Sequence, residues 1–219
     1  AKWFETQFLT YADVVVSLTE AGIEAIKAFD HVETEEMWFE KIPTCVDLDL
    51  FTPQPNQDTN NFILGYVGSV GTWYLFDDVI ECFQILREKR PDSCLRILNQ
   101  GDHEYIRRRL SKFGIEENAV TIKAVEHSEV PAEMNRMDAG IFFYKPTFSK
   151  KGTSPTKMGE FLACGVPCLS NAGVGDVKPI LENNNTGIAI NSFETEEKRQ
   201  AIESLLTSYS DSEVVDRCR

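Results

Sequence analysis

Residues 139–176 read AGIFFYKPTFSKKGTSPTKMGEFLACGVPCLSNAGVGD. The opening AGIFFY is apolar on both faces, the mark of a strand buried in a parallel sheet with helices on each side. Beyond a polar loop, PTKMGEFLA has helical spacing: Met158, Phe161 and Leu162 share one face, and Lys157 and Glu160 share another. Ser154 suits the N-cap and Pro155 the first helical position. Gly165 ends the helix, Pro167 prevents its continuation, and PCLS at 167–170 is the next strand. The segment is therefore a strand–helix–strand unit.

The alternation continues on both sides. Strands are expected at 13–17, 62–67, 94–98, 119–124, 139–144, 167–170 and 187–190. Helices are expected at 19–29, 77–89, 103–113, 129–136, 155–164, 177–182 and 194–207. Residues 62–219 read as one α/β domain with a doubly wound, Rossmann-like parallel sheet and right-handed crossovers. Residues 1–51 supply a helix tail, one strand, one helix and the apolar stretch 37–42, too little for a second such domain. The polar, proline-bearing stretch 52–61 (TPQPNQDTNN) reads as a linker. The expectation is a piece of a longer protein: the end of a first domain, a linker and a ligand-binding domain.

The 219 residues are 42% apolar, enough for a core without disulfide or metal staples. Acids outnumber bases by 35 to 22, so the net charge is −13. That argues against nucleic-acid partners and means that any anionic ligand needs a locally basic pocket. No apolar run reaches the ~18 residues of a membrane span. Six cysteines without CxxC spacing fit small buried residues of a reducing, cytoplasmic compartment rather than a zinc site. Asp47-Leu48-Asp49 lies between Pro43 and Pro53 and reads as linker, not as a metal motif. His31, His103 and His127 lie far apart in sequence.

Against that acidic background, Lys145, Lys150, Lys151 and Lys157 fall within thirteen residues that contain no acid. The basic segment follows a strand and starts a helix, whose free N–H groups and dipole favour a phosphate or carboxylate. Lys157, in the first turn, would converge on the same anion. Glu160 lies on the same face; a carboxylate beside a phosphate site makes sense if it accepts hydrogen bonds from a ribose diol. Gly68 and Gly71, after the strand at 62–67, allow close backbone approach to a ligand, though they do not form GxGxxG and so do not indicate NAD.

SPTKMGEFLACGVPCLSNAGVGD (154–176) resembles the donor-nucleotide segment of retaining GT-B glycosyltransferases of the group 1 class, which includes glycogen synthase. It most resembles a subgroup that builds bacterial surface polysaccharides. GYVGSVGTWYLFDD (65–78) sits where that family has its first glycine-rich turn, and IPTCVDLDLFTP (42–53) resembles its interdomain segment. The resemblance implies a donor-binding domain that transfers sugar, with retention and without a metal, from a nucleotide-diphosphate sugar to a glycan or lipid-linked acceptor. The nucleotide sugar is a co-substrate, and no other cofactor is implied. Lys157 would neutralise the departing diphosphate and Glu160 would hold the ribose. Gly68, Ser69, Gly71 and Thr72 would line the diphosphate, and Val125 the base. The remaining donor contacts would come from Lys150, Lys151, Gly152, Thr153, Ser154 and Thr156.

Two departures from the family pattern stand out. Ser69 and Tyr74 occupy positions where the family has phosphate-binding cations, and Gly152 replaces the first of its paired glutamates. Lys150, Lys151 and Lys157 are candidates to replace the lost charge. The departures leave two alternatives open: a catalytically inactive nucleotide-binding or scaffolding module, and a non-transferase relative such as a nucleotide-sugar epimerase. Acceptor contacts, and any peripheral membrane association, would belong mainly to the first domain.

Overall fold

The computed structural model describes residues 2–54, 61–209 and 213–218. Residues 55–60 of the expected linker lie outside the described residues. Helix α1 (Lys2–Thr10) precedes strand β1 (Val15–Ser17), helix α2 (Glu20–Lys27) and strand β2 (Phe39–Lys41). The apolar stretch 37–42 thus yields a short strand, parallel to β1 with Val15 opposite Phe39.

The second part runs β3 (Ile63–Val67), α3 (Phe76–Lys89), β4 (Cys94–Leu98), α4 (His103–Lys112), β5 (Val120–Lys123) and α5 (Val130–Met134). It continues with β6 (Ala139–Ile141), α6 (Thr156–Ala163), β7 (Cys168–Asn171), α7 (Val177–Asn183), β8 (Gly187–Ile190), α8 (Thr195–Tyr209) and α9 (Val214–Cys218). Strands β3 to β8 form one parallel sheet in the order β5-β4-β3-β6-β7-β8. This is the doubly wound arrangement in which the chain reverses direction at β3 and β6, leaving a crevice at their C-terminal ends.

Strand alternation divides the core into two layers. Leu64 and Tyr66 pack with α3, α4 and α8, whereas Ile63 packs with α5, α6 and α7. At Gly140 of β6 a side chain would collide with the Phe161 ring, 2.7 Å from a Cβ, so the bare backbone lets α6 lie close on the sheet. Helix α6 ends as its sequence dictates. Gly165 at φ +75° donates its N–H to Leu162 O (2.8 Å) and Val166 donates to Phe161 O (2.9 Å), closing a Schellman turn.

The first part is fastened to the second by side chains. Thr19 caps α2 through Gly22 N (3.0 Å), and its hydroxyl donates to Lys151 O (2.6 Å). The Asp176 carboxylate accepts the next two amides of α2, from Glu20 (2.8 Å) and Ala21 (3.1 Å), with Lys41 Nζ 3.7 Å away. Phe51, at the end of the expected first part, is 1% exposed and packs in the α5–α6–α7 layer of the second. Asp47 accepts from Asp49 N (3.0 Å) and Leu50 N (3.1 Å), capping the turn that delivers it.

Strand β6 is shorter than the expected 139–144. Phe142 N still donates to Leu169 O of β7 (3.1 Å), but beyond it other groups take the backbone of Phe143 and Tyr144. The Asn171 side chain accepts from Tyr144 N (2.8 Å) and donates to Tyr144 O (3.2 Å). On the other side the chain meets the turn after β3 in an antiparallel bridge, Tyr74 opposite Tyr144. Leu75 N donates to Phe143 O and Lys145 N to Trp73 O, both at 3.0 Å.

Candidate functional site

That bridge closes the crevice between β3 and β6 and builds a site around Lys157. Gly68 follows β3 at φ +113°, a conformation that L side chains rarely adopt. Its amide donates to Leu98 O (2.9 Å), and its carbonyl accepts from Asn99 Nδ2 (3.0 Å). Asn99 Oδ1 in turn accepts from Gly101 N and Asp102 N, so one buried asparagine ties the turn after β3 to the turn after β4. A Cβ on Gly68 would lie 2.7 Å from Lys157 Nζ. The lysine of α6 therefore reaches across the crevice and ends against the bare backbone of the glycine turn.

Lys157 Nζ is buried and has no hydrogen-bond partner among the described residues. It faces aromatic rings instead: Tyr74 at 4.3 Å from the centroid, Tyr66 at 5.5 Å and Tyr144 at 5.9 Å. Burial pulls its pKa down to about 8, with the Glu160 carboxylate acting weakly in the opposite direction. Tyr74 and Tyr144 pack ring on ring at 4.9 Å, and Tyr66 OH donates to Ser69 O (2.5 Å). A second ammonium joins this cluster: Lys150 Nζ lies 5.0 Å from Trp73 and 5.3 Å from Tyr144, without an ion pair among the described residues. Ring faces stabilise a cation by about 0.5–2 kcal/mol each. They do not supply the oxygen acceptors that a buried ammonium needs.

The N-terminus of α6 adds to the positive field. Ser154 does not cap it, contrary to the sequence expectation. Its Oγ lies 2.8 Å from Thr44 Oγ1 and accepts from Thr44 N at 3.4 Å, while Thr44 Oγ1 donates to Ser154 O at 3.1 Å. With Ser154 drawn to the 42–53 segment, Pro155 takes the cap position, Thr156 begins the helix, and no side chain caps it. The first turn of α6, which carries Lys157, therefore has no side-chain cap, and the helix dipole adds positive potential at this end.

The remaining expected residues divide by position. Ser69, Gly71 and Thr72 form the turn over the crevice, with Gly71 at φ +80° and Thr72 at φ +39°. Val125 lines a pocket of ≈ 180 Å³ at the ends of β3 and β4, with Gly68, Ser69, Asn99 and Val130, and its carbonyl accepts from Gln100 Nε2 (2.5 Å). Glu160 is largely buried, its Oε1 3.6 Å from His127 Nε2, so this histidine stands beside the site. Lys151 turns away from the crevice, its Nζ 5.6 Å from the Phe148 ring and its carbonyl held by Thr19. The Thr153 amide is used locally, donating to Lys150 O (3.1 Å), which leaves it unavailable to a sugar. Gly152 is exposed in the same turn. Sequence alone places Trp73, Tyr74 and Phe76 at a cleft-facing turn, but it gives no sign of Tyr66, Tyr144 or Asn99.

Among the described residues no group of three potential metal ligands comes together, and no helix is long and apolar enough to cross a membrane. All six cysteines are free thiols.

Comparison with solved structures supports the fold at low identity. WaaG, a glycosyltransferase involved in lipopolysaccharide biosynthesis, superposes with a TM-score of 0.73 at 20% identity, covering 93% of this chain and 56% of WaaG. HepE of Anabaena, in complex with UDP and glucose, gives 0.69 at 16% identity, covering 99% of this chain and 59% of HepE. A TarM variant of S. aureus, in complex with fondaparinux, α-GlcNAc-glycerol and UDP, gives 0.72 at 16% identity, covering 99% of this chain and 41% of TarM. The chain thus spans about half the length of these structures. No curated protein matches it by sequence. The model of the family Glycosyl transferases group 1 matches residues 49–218, and the chain belongs to that family.

Proposed function

We propose that the chain is the donor-binding portion of a retaining, metal-independent glycosyltransferase that acts in the cytoplasm on a nucleotide-diphosphate sugar. The acceptor is a glycan or lipid-linked glycan of a bacterial surface polysaccharide. The observation that carries the reading is the buried ammonium of Lys157, without an oxygen partner, at the uncapped start of α6 and against the glycine turn. A diphosphate supplies the missing acceptors. As the glycosidic bond to phosphate breaks, negative charge grows on the leaving oxygen. A fixed ammonium and helix dipole stabilise that charge without reorganisation. Lys150 adds a second cation above Trp73 and Tyr144, on the side where Ser69 and Tyr74 bring none. Glu160 accepts from the ribose hydroxyls, and the base occupies the pocket at Val125. Attack on the face that the diphosphate leaves, with a phosphate oxygen taking the acceptor's proton, gives retention without a protein nucleophile.

Isothermal titration with a panel of nucleosides and nucleoside diphosphates tests this. One base is expected to bind, and its diphosphate to bind much more tightly than its nucleoside. Glu160→Gln is expected to weaken the nucleoside itself by about 5- to 20-fold, as loss of a charged acceptor. An unchanged nucleoside affinity would remove Glu160 from the ribose. We further infer that residues 1–51 carry too little of the acceptor side for catalysis. This chain should then bind donor but transfer no sugar, and transfer by it in a donor–acceptor assay would overturn that division.

The pKa of Lys157 sets a pH dependence. The free ammonium is charged at pH 7 and empties as pH rises through about 8. Bound diphosphate favours the charged form, so binding above pH 8 takes up a proton. Diphosphate affinity is expected to fall by up to about tenfold per pH unit from pH 8 upward, while nucleoside affinity stays level. Titrations between pH 6.5 and 9.5 in buffers of different ionisation enthalpy read both the affinity and the proton uptake. A flat diphosphate profile would mean that Lys157 stays charged across this range and that burial does not lower its pKa to about 8.

A further inference from the structure

The donor reading uses one side of the turn Phe148–Gly152 and leaves the other unused. On that other side lies a cavity of ≈ 410 Å³ walled by the Phe29 and Phe148 rings, Lys151, Glu24 and Gly173. The two rings are nearly parallel, with centroids 6.1 Å apart and planes inclined by 30°. Phe148 is 62% exposed and belongs to neither core layer; its ring contacts are Phe29 and the Lys151 ammonium.

Small residues keep the cavity open. Ala21 and Ala25 of α2 and its C-cap Ala28 line one wall, and a Cβ on Gly173 would meet nothing within 4 Å. The rim is polar. Lys151 Nζ sits 5.6 Å from the Phe148 centroid with no ion pair among the described residues, and Glu24 is steadied by Lys27 at 2.9 Å. The walls are set before any ligand arrives, because Thr19 Oγ1 donates to Lys151 O (2.6 Å) and Gly175 N to Lys150 O (2.8 Å).

A pyranose matches this combination. Its flat C–H face is apolar, and its hydroxyls project outward toward donors and acceptors at the edge of a mostly apolar pocket. We propose that the cavity binds a sugar unit of the acceptor glycan, stacked on Phe148 with its hydroxyls reaching Lys151 and Glu24. The proposal rests on the glycosyltransferase reading and goes beyond its donor site. Lys150 faces Trp73 and Tyr144 whereas Lys151 faces Phe148, so the bound unit lies on the other side of the turn from the donor cations. The cavity then governs which acceptor chains are held, not the chemistry of transfer.

The test is ligand-detected saturation-transfer NMR on the 219-residue chain with a panel of neutral and uronate-bearing trisaccharides. At least one trisaccharide is expected to bind. Phe148→Ala should weaken it by about 3- to 10-fold, and Phe148→Tyr should retain it. Nucleoside-diphosphate affinity should stay within about twofold in both variants, since Phe148 lines neither the pocket at Val125 nor the ring cluster around Lys157. Absence of trisaccharide binding, or binding indifferent to Phe148→Ala, overturns the proposal. A lowered melting temperature in Phe148→Ala with unaltered sugar binding marks a packing surface and overturns it too. Failure of the unaltered chain to bind any nucleoside diphosphate would instead overturn the donor reading, so the two failures are distinguishable.

Discussion

Lys157→Met is expected to weaken nucleoside-diphosphate binding by about 10- to 150-fold, because a charge-assisted hydrogen bond contributes roughly 1.5–3 kcal/mol. The corresponding nucleoside should lose little, since no phosphate is involved. Equal losses for both ligands would mean that the substitution damages the fold, not a phosphate contact. The same change carries an opposite expectation for stability. Burial holds the folded-state pKa of Lys157 down to about 8, below the ordinary lysine value of 10.5. At neutral pH the charged side chain therefore opposes folding, and the penalty fades as pH rises from 8 toward 10.5. Methionine fills similar space without the charge, so the ligand-free variant should melt higher than the parent at pH 7 and lose that advantage at alkaline pH. A protein stabilised by losing its best ligand contact has that residue for binding. Calorimetric melting at pH 7 and pH 10 reads both signs.

Gly68→Val is expected to have an effect of similar size by a steric route. The position has φ +113°, where a β-branched residue is strained by about 1–3 kcal/mol. Its Cβ would also lie 2.7 Å from Lys157 Nζ. Either the turn opens or the ammonium moves, and both spoil the anion site. The expected result is diphosphate binding weakened by about tenfold or more, with a melting temperature lowered by several degrees. Gly71→Ala is the control. Its φ of +80° is also strained for alanine, but nothing lies within 4 Å of its Cβ. It should share the loss of stability without the displacement of Lys157. Diphosphate binding equally weak in both variants would show that turn conformation, not the position of the ammonium, governs the site.

The sheet was legible because β3 and β8 are short apolar runs and β4, β5 and β7 are short, largely apolar or alternating runs, all with turn residues at their ends. Strand β6 was read three residues too long. AGIFFY is uniformly apolar, and nothing in it shows that Asn171, 27 residues beyond Tyr144, takes over the backbone of Tyr144. Ser154 was read as a cap because local spacing favours that role. Its actual partner, Thr44, lies 110 residues away in sequence, and a tertiary hydrogen bond overrode a local preference. Lys157 and Glu160 could be nominated from sequence because they lie on one helix with a recognisable spacing. The ring cluster around Lys157 escaped notice because Tyr66, Tyr74 and Tyr144 come from separate segments, joined by a two-residue bridge without a pattern of its own. The tyrosine read as a lost cation proved to be the wall against which the remaining cation rests.

The hydrogen bonds that Asp176 makes to the start of α2 bear on what counts as a unit in this molecule. By sequence the chain divides at a polar stretch, and an investigator would be tempted to express residues 62–219 alone. Such a cut would strip Asp176 of the two amides it accepts, release Lys151 O from Thr19, free Ser154 from Thr44, and remove Phe51 from the layer beneath α6. Each lost partner borders the segment that carries Lys150 and Lys157. The division drawn on sequence follows composition, whereas cooperative unfolding follows the contacts, and these include α2. The smallest autonomous piece is therefore longer than the domain drawn on the sequence, and hydrogen exchange should find the amides at the start of α2 opening together with those of the basic turn.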